Sequence, residues 1–128
     1  MTESVVLDAS AILAAILAEP GGERIPAIPG RRVASTVNMA ETRTRLVDRG
    51  HSLEDIERLI AMLDIHEVDF TKSQAVLCGK LRAATRKVGL SLGDRACLAL
   101  ALEMNVVAMT SDKSWQRVDV PVQVEMIR

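Results

Sequence analysis

Asp8, Glu41, Asp94 and Asp112 are the residues of this sequence whose types and positions could do chemistry. Asp8 closes the apolar run Val5-Val6-Leu7, and Asp112 follows Val106-Val107-Ala108-Met109-Thr110-Ser111. Both therefore stand at the carboxyl end of a predicted strand, where open α/β sheets build their sites. Glu41 and Asp94 fall early in two amphipathic helices, on faces expected to turn inward. Two carboxylates about 5 Å apart at an effective dielectric of about 20 repel by roughly 3 kcal/mol, and a quartet contains several such pairs. A cation is needed among them, and an oxygen-only donor set suits Mg²⁺ or Mn²⁺.

Each carboxylate also has an ordinary explanation. Asp8 is a good N-cap for the first helix, although Ser10 competes for that place. Glu41 shares a helical face with Val37, Ala40 and Thr44, where a solvated glutamate is not expected; Arg45 at i+4 is its simplest partner. Asp94 heads a stripe formed by Cys97, Leu98, Ala101 and Leu102, and Ser91-x-x-Asp94 is nearly a capping box. Asp112 could cap a turn beginning at Lys113. The arrival of all four at one end of one sheet is the stronger argument.

The elements that must position them alternate. Val5–Leu7 reads as a buried strand, and a helix from Ala11 to about Ala18 follows Ser10. The segment Glu19–Arg32 holds all but one of the 4 prolines and reads as a loop. Val33–Ser35 is a second strand, and Thr36 to Arg49 a helix stopped by Gly50. Ser52 opens a helix through Leu63, Ile65–Phe70 is a strand, and Thr71 opens a helix to about Lys87. Ser91 caps the helix Leu92–Met104, which Asn105 ends; strands follow at Val106–Thr110 and Val122–Met126. This order implies one α/β domain spanning residues 1–128, with a central parallel β-sheet and helices on both faces. The pattern leaves the strand order open.

Composition narrows the class. The chain has 128 residues, enough for one domain with a real core. It carries 16 basic and 17 acidic residues, a net charge of -1, so it has no global attraction for nucleic acid. Such a role would rest on local charge, and Arg24, Arg31, Arg32, Arg43, Arg45 and Arg49 are concentrated in the first half. Cys78 and Cys97 sit within helical patterns without ligand spacing, as free buried thiols of a reducing compartment. No apolar run approaches a membrane span and no signal peptide is visible, so a cytoplasmic location without membrane association is expected.

Four segments together resemble the PIN domain, and within it the VapC toxins of bacterial toxin–antitoxin pairs. They are Val6-Leu7-Asp8-Ala9-Ser10-Ala11, Asn38-Met39-Ala40-Glu41, the long run from Gly89 to Ala101 containing Gly93-Asp94-Arg95, and Met109-Thr110-Ser111-Asp112. The resemblance spans essentially the whole chain. It implies a metal-dependent endoribonuclease that uses Mg²⁺ or Mn²⁺, with Asp8, Glu41, Asp94 and Asp112 as metal-holding, catalytic carboxylates. It further suggests Ser10, Thr110 and Ser111 as polar neighbours of metal or phosphate. The implied partners are an RNA substrate, a small cognate antitoxin covering the acidic pocket, and a second copy in a homodimer.

Arg95 and Lys113 adjoin the acidic positions and could meet RNA phosphates. Trp115 could stack on a base, though a lone tryptophan after a strand is more often a packing anchor. His51 and His66 fall outside every candidate segment. A phosphorylated receiver domain would need an acidic pair near Asp8 and a lysine ending the last strand, and a haloacid-dehalogenase phosphatase would need Asp-x-Asp where this chain has Asp8-Ala9-Ser10. The remaining alternative is a PIN-like RNA-binding module with little turnover.

Overall fold

Five short parallel strands form one sheet in the computed structural model, which describes residues 3–128. They are β1 (Ser4–Leu7), β2 (Arg31–Ser35), β3 (Ile65–Val68), β4 (Val107–Thr110) and β5 (Val124–Met126). The helices are α1 (Ala9–Ile16), α2 (Thr36–Asp48), α3 (Leu53–Ala61), α4 (Lys72–Thr85) and α5 (Leu92–Met104). Strand order is β3-β2-β1-β4-β5. The chain thus builds outward from β1 to β3, returns to the other side of β1, and continues to β5. The reversal opens a crevice beyond the carboxyl ends of β1 and β4, the topological switch point where such sheets bind ligands.

The period-two alternation of the strands divides the core into two layers. Leu7, Ala34 and Met109 face α1, α2 and α3, packing on Ile12, Met39, Leu46, Ile56 and Ile60. Val6, Val33 and Ala108 face α4 and α5, packing on Cys78, Leu81 and the run from Ala96 to Ala101. In register, Val6 lies beside Val33 on one side and Ala108 on the other. The mainly aliphatic composition is therefore used on both faces, as a parallel sheet requires.

Helix α5 follows the sequence reading from cap to cap. Ser91 accepts from the Asp94 N–H, Asp94 accepts from the Ser91 N–H, and Asn105 ends the helix at φ 55. Other boundaries differ. Helix α1 begins at Ala9, because Asp8 takes the cap position in place of Ser10. Strand β3 stops at Val68, since the Phe70 N–H donates to the Thr36 hydroxyl instead of continuing the ladder. Two 3₁₀ segments, Gly22–Arg24 and Lys113–Arg117, fall where no helix was expected.

The inward face of α2 is the main correction. Asn38, Met39, Thr42 and Leu46 are buried, whereas Ala40 and Thr44 are exposed and Glu41 lies at the half-buried margin. Polar residues on the buried side obscured the pattern. Thr42 donates its hydroxyl to the Asn38 carbonyl at 2.8 Å, and the Asn38 amide nitrogen donates across to the Gly93 carbonyl of α5, while the Asn38 side-chain oxygen has no partner among the described residues. Among the described residues, no helix is long and apolar enough to cross a membrane.

Candidate functional site

Asp8 stands immediately after β1, buried at 3% exposure. Its Oδ1 accepts from the Ser10 hydroxyl at 2.7 Å and the Ala11 N–H at 2.8 Å; its Oδ2 accepts from the Thr110 hydroxyl at 2.6 Å. Both hydroxyl protons are thereby committed to Asp8. The same two oxygens accept in turn, Ser10 from the Ser111 N–H at 3.0 Å and Thr110 from the Asp112 N–H at 3.0 Å. Two hydroxyls thus tie the end of β1 to the end of β4. Burial pushes the Asp8 carboxyl up to about 6, against the lowering effect of Thr110, Ala11 and Ser10, with the charge of Asp94 adding to the rise.

Glu41 reaches the same region from α2. Asn38, 1% exposed, donates its amide to Glu41 Oε1 at 3.1 Å and to the Gly93 carbonyl at 2.9 Å. Both partners are acceptors, so the Asn38 nitrogen must face them. A Cβ on residue 93 would collide with the Glu41 carboxylate, and glycine there lets Glu41 lie against the first turn of α5. Asp94, next in sequence, is half-buried and spends Oδ2 on the Ser91 N–H at 2.9 Å.

Beneath them lies the fully buried Cys97. Its thiol is pushed well above the ordinary range, first by burial and then by the negative charges of Asp8, Asp94 and Glu41. Three carboxylates from β1, α2 and α5 therefore act on one buried atom. Asp112 joins from β4 through its N–H bond to Thr110, while its Oδ1 caps the following turn by accepting from the Ser114 N–H at 2.9 Å.

None of the ion pairs among the described residues involves Asp8, Glu41, Asp94 or Asp112. Arg45 does not pair with Glu41. Asp94 Oδ1, Asp112 Oδ2 and Glu41 Oε2 accept no hydrogen bond among the described residues, leaving oxygen lone pairs for a hard cation. As the side chains lie, no three Asp, Glu, His or Cys groups among the described residues close on one point at ligand distances. The all-oxygen donor set, its lack of cationic partners and the close approach allowed by Gly93 fit Mg²⁺ or Mn²⁺.

The remaining candidates divide. Ser10, Thr110 and Ser111 belong to the network around Asp8. Lys113 is exposed at the start of the turn that Asp112 caps. Arg95 is drawn elsewhere, its guanidinium donating to the Cys78 carbonyl of α4 at 2.9 Å. Trp115 is 1% exposed and packs in the second core layer, so it is an anchor and offers no stacking face. His51 lies in the turn after α2 and His66 is exposed on β3, both outside this group. Asn38 was missed as an orienting residue. Its signal was an asparagine, a poor helix former, placed at i-3 from the glutamate.

The chain is similar in structure to proteins of toxin–antitoxin systems. VapBC-1 from nontypeable Haemophilus influenzae has 22% identity, covering 98% of each chain, with a TM-score of 0.75. A toxin–antitoxin complex from Klebsiella pneumoniae has 16% identity over 97% of this chain and 98% of that one, with a TM-score of 0.76. VapC20 of Mycobacterium tuberculosis, described as a sarcin–ricin loop cleaving toxin, has 17% identity over 93% of this chain and 98% of that one, with a TM-score of 0.75. At these identities the likeness is one of fold. No curated protein matches the sequence. The family model for the PIN domain matches residues 5–121, which include every carboxylate of the site, and the chain belongs to that family.

Proposed function

We propose that this protein is a divalent-metal-dependent endoribonuclease, the toxin of a toxin–antitoxin pair, cleaving a structured cellular RNA by phosphodiester hydrolysis. The observation that carries the reading is the convergence of Asp8, Glu41 and Asp94 over the Cys97 thiol at the sheet's switch point, with no ion-paired arginine or lysine on any of them among the described residues. Such a gathering of like charge, one carboxylate buried and two half-buried, is costly unless a cation joins it. Family membership and the toxin-like fold support the same reading.

Bound Mg²⁺ or Mn²⁺ would supply an activated water and screen charge on the scissile phosphate and leaving oxygen. Asp8, Glu41, Asp94 and Asp112 would hold it. Ser10 and Thr110 keep the Asp8 carboxylate in one orientation by donating to it, and Asn38 fixes Glu41 from behind. The Ser91 N–H restrains Asp94 on one oxygen and leaves the other free. Ser111 and Lys113, next along the chain after β4, are the polar groups offered to a phosphate at the mouth.

The partners follow from the same reading. A small antitoxin inserting an arginine would neutralise the carboxylates with a planar, bidentate cation. Self-association as a homodimer would use apolar helix faces, and the protein would act in the cytoplasm. The decisive experiment is cleavage of total RNA by the purified protein with Mg²⁺ or Mn²⁺, with and without chelator, followed by mapping of the ends. Asp94→Asn should abolish cleavage while the domain stays folded by circular dichroism. Metal-independent cleavage that survives Asp94→Asn would refute the reading; RNA binding without turnover would replace it with the binding module.

A further inference from the structure

Half of the six arginines concentrated between Arg24 and Arg49 are committed to structure. Arg24 pairs with Glu125 at 2.8 Å and donates to the Met126 carbonyl. Arg32 donates to the carbonyls of Leu63 and Ile28. Arg43 forms a double fork with Glu57 and Glu67. Three remain without a carboxylate partner among the described residues: Arg31, Arg45 and Arg49. Arg31 opens β2, at the end of the sheet opposite the site.

Arg45 and Arg49 are different. They lie at i+4 and i+8 from Glu41, about 6 Å and 12 Å farther along α2. Both are exposed, and both line a groove of about 500 Å³ between α1 and the end of α2. That groove includes Ser10 and Ser111, the two residues bonded to each other beside Asp8. Its charged wall sets Arg45, Arg49 and Arg128 against Glu19 and Asp48, an excess of one positive charge in a molecule whose net charge is -1. Leu13 and Leu17 supply an apolar floor.

We infer that this groove is the substrate track of the acidic site: single-stranded RNA leaves the carboxylates past Ser10 and Ser111, and its next phosphates lie on Arg45 and Arg49. The inference rests on the ribonuclease reading and adds to it the binding residues and the path of the strand. The charge arrangement explains why it is required. A quartet of carboxylates repels a polyanion, so substrate must be held from outside the quartet, by guanidinium groups not consumed by ion pairs.

The test is binding of a 2′-O-methyl single-stranded oligoribonucleotide, which resists hydrolysis, followed by fluorescence anisotropy across a salt series with Mn²⁺ present. Each neutralised phosphate contributes about 0.7 to the slope of log K against log salt on single strands, so Arg45→Gln with Arg49→Gln should flatten it by about 1.4. Arg31→Gln should leave the slope as in the wild type. In turnover of single-stranded RNA the double variant should raise KM far more than it lowers kcat. A double variant with the wild-type slope and KM overturns the groove, and points to a protein ligand for that surface. The two ideas fail separately. Wild-type protein that never cleaves RNA defeats the nuclease reading, yet a flattened slope would still assign the groove to RNA.

Discussion

Asp8 contains an energetic conflict with a sign that can be measured. Its folded-state pKa is raised from 3.8 to about 6, chiefly by burial. A carboxyl raised on folding contributes stability that is complete below the unfolded value and is lost as pH rises through the folded one. Two units of difference amount to about 3 kcal/mol at most. Asp8→Asn should therefore stabilise the metal-free protein at pH 7 by about 1–3 kcal/mol and give no comparable gain at pH 4, read from urea unfolding at both. Mn²⁺ binding must first deprotonate this carboxyl, so wild-type affinity should fall by about tenfold per unit below pH 6. Asn38 makes a second prediction at this scale. Asn38→Ala releases Glu41 and should weaken Mn²⁺ binding by about 10- to 100-fold in calorimetry. In a Glu41→Gln background the same change should have little further effect on affinity, an interaction that mere loss of packing would not produce. The sequence singled out the four carboxylates because an acidic residue beside an apolar strand or in an apolar helix stands out, and the structure gathers Asp8, Glu41 and Asp94 about Cys97. Asn38 was not singled out, because its role depends on the Gly93 carbonyl 55 residues away.

Helix α5 shows what local sequence specifies well. Its reciprocal capping box, small buried residues and terminal asparagine all act within a few positions of one another, so its limits could be read directly. Helix α2 shows the opposite. Its inward face carries Asn38 and Thr42, whose hydrogen bonds make them compatible with burial, and hydrophobic periodicity alone selects the wrong side. The N-terminus of α1 was displaced by competition, Asp8 and Ser10 being equally suitable caps until Thr110 and Ser111 occupy the serine's surroundings. Cap and site can be separated at α5. Ser91→Ala removes the side-chain bond to the Asp94 N–H and should cost about 1 kcal/mol of stability. It retains the backbone N–H that restrains Asp94, so Mn²⁺ affinity should change much less than in Asn38→Ala. A loss of affinity equal to that of Asn38→Ala would show that capping and metal binding are one function.

At the scale of the molecule, the α/β class followed from the alternation of elements, but the order β3-β2-β1-β4-β5 did not. Val5-Val6-Leu7 and Val107-Ala108-Met109 are both central strands by composition, and nothing within either states which neighbours it takes. Order is decided by how the connecting helices cover two faces at once, a property of the assembled core. The same assembly places Cys97 at its centre, under the carboxylates and with no exposed surface. That position makes the thiol a clock for internal opening. A small neutral alkylating reagent can reach it only after α5 separates from the sheet, so its labelling rate reports how often that happens. Cys78, buried less completely on α4, should react sooner. Mn²⁺ bound as proposed would join β1, α2 and α5 through their carboxylates and should slow Cys97 labelling selectively, which mass spectrometry of the two cysteine peptides would measure. Equal slowing at both would mean that the ion tightens the whole fold; slowing confined to Cys97 would time the separation of just the three segments that meet over it.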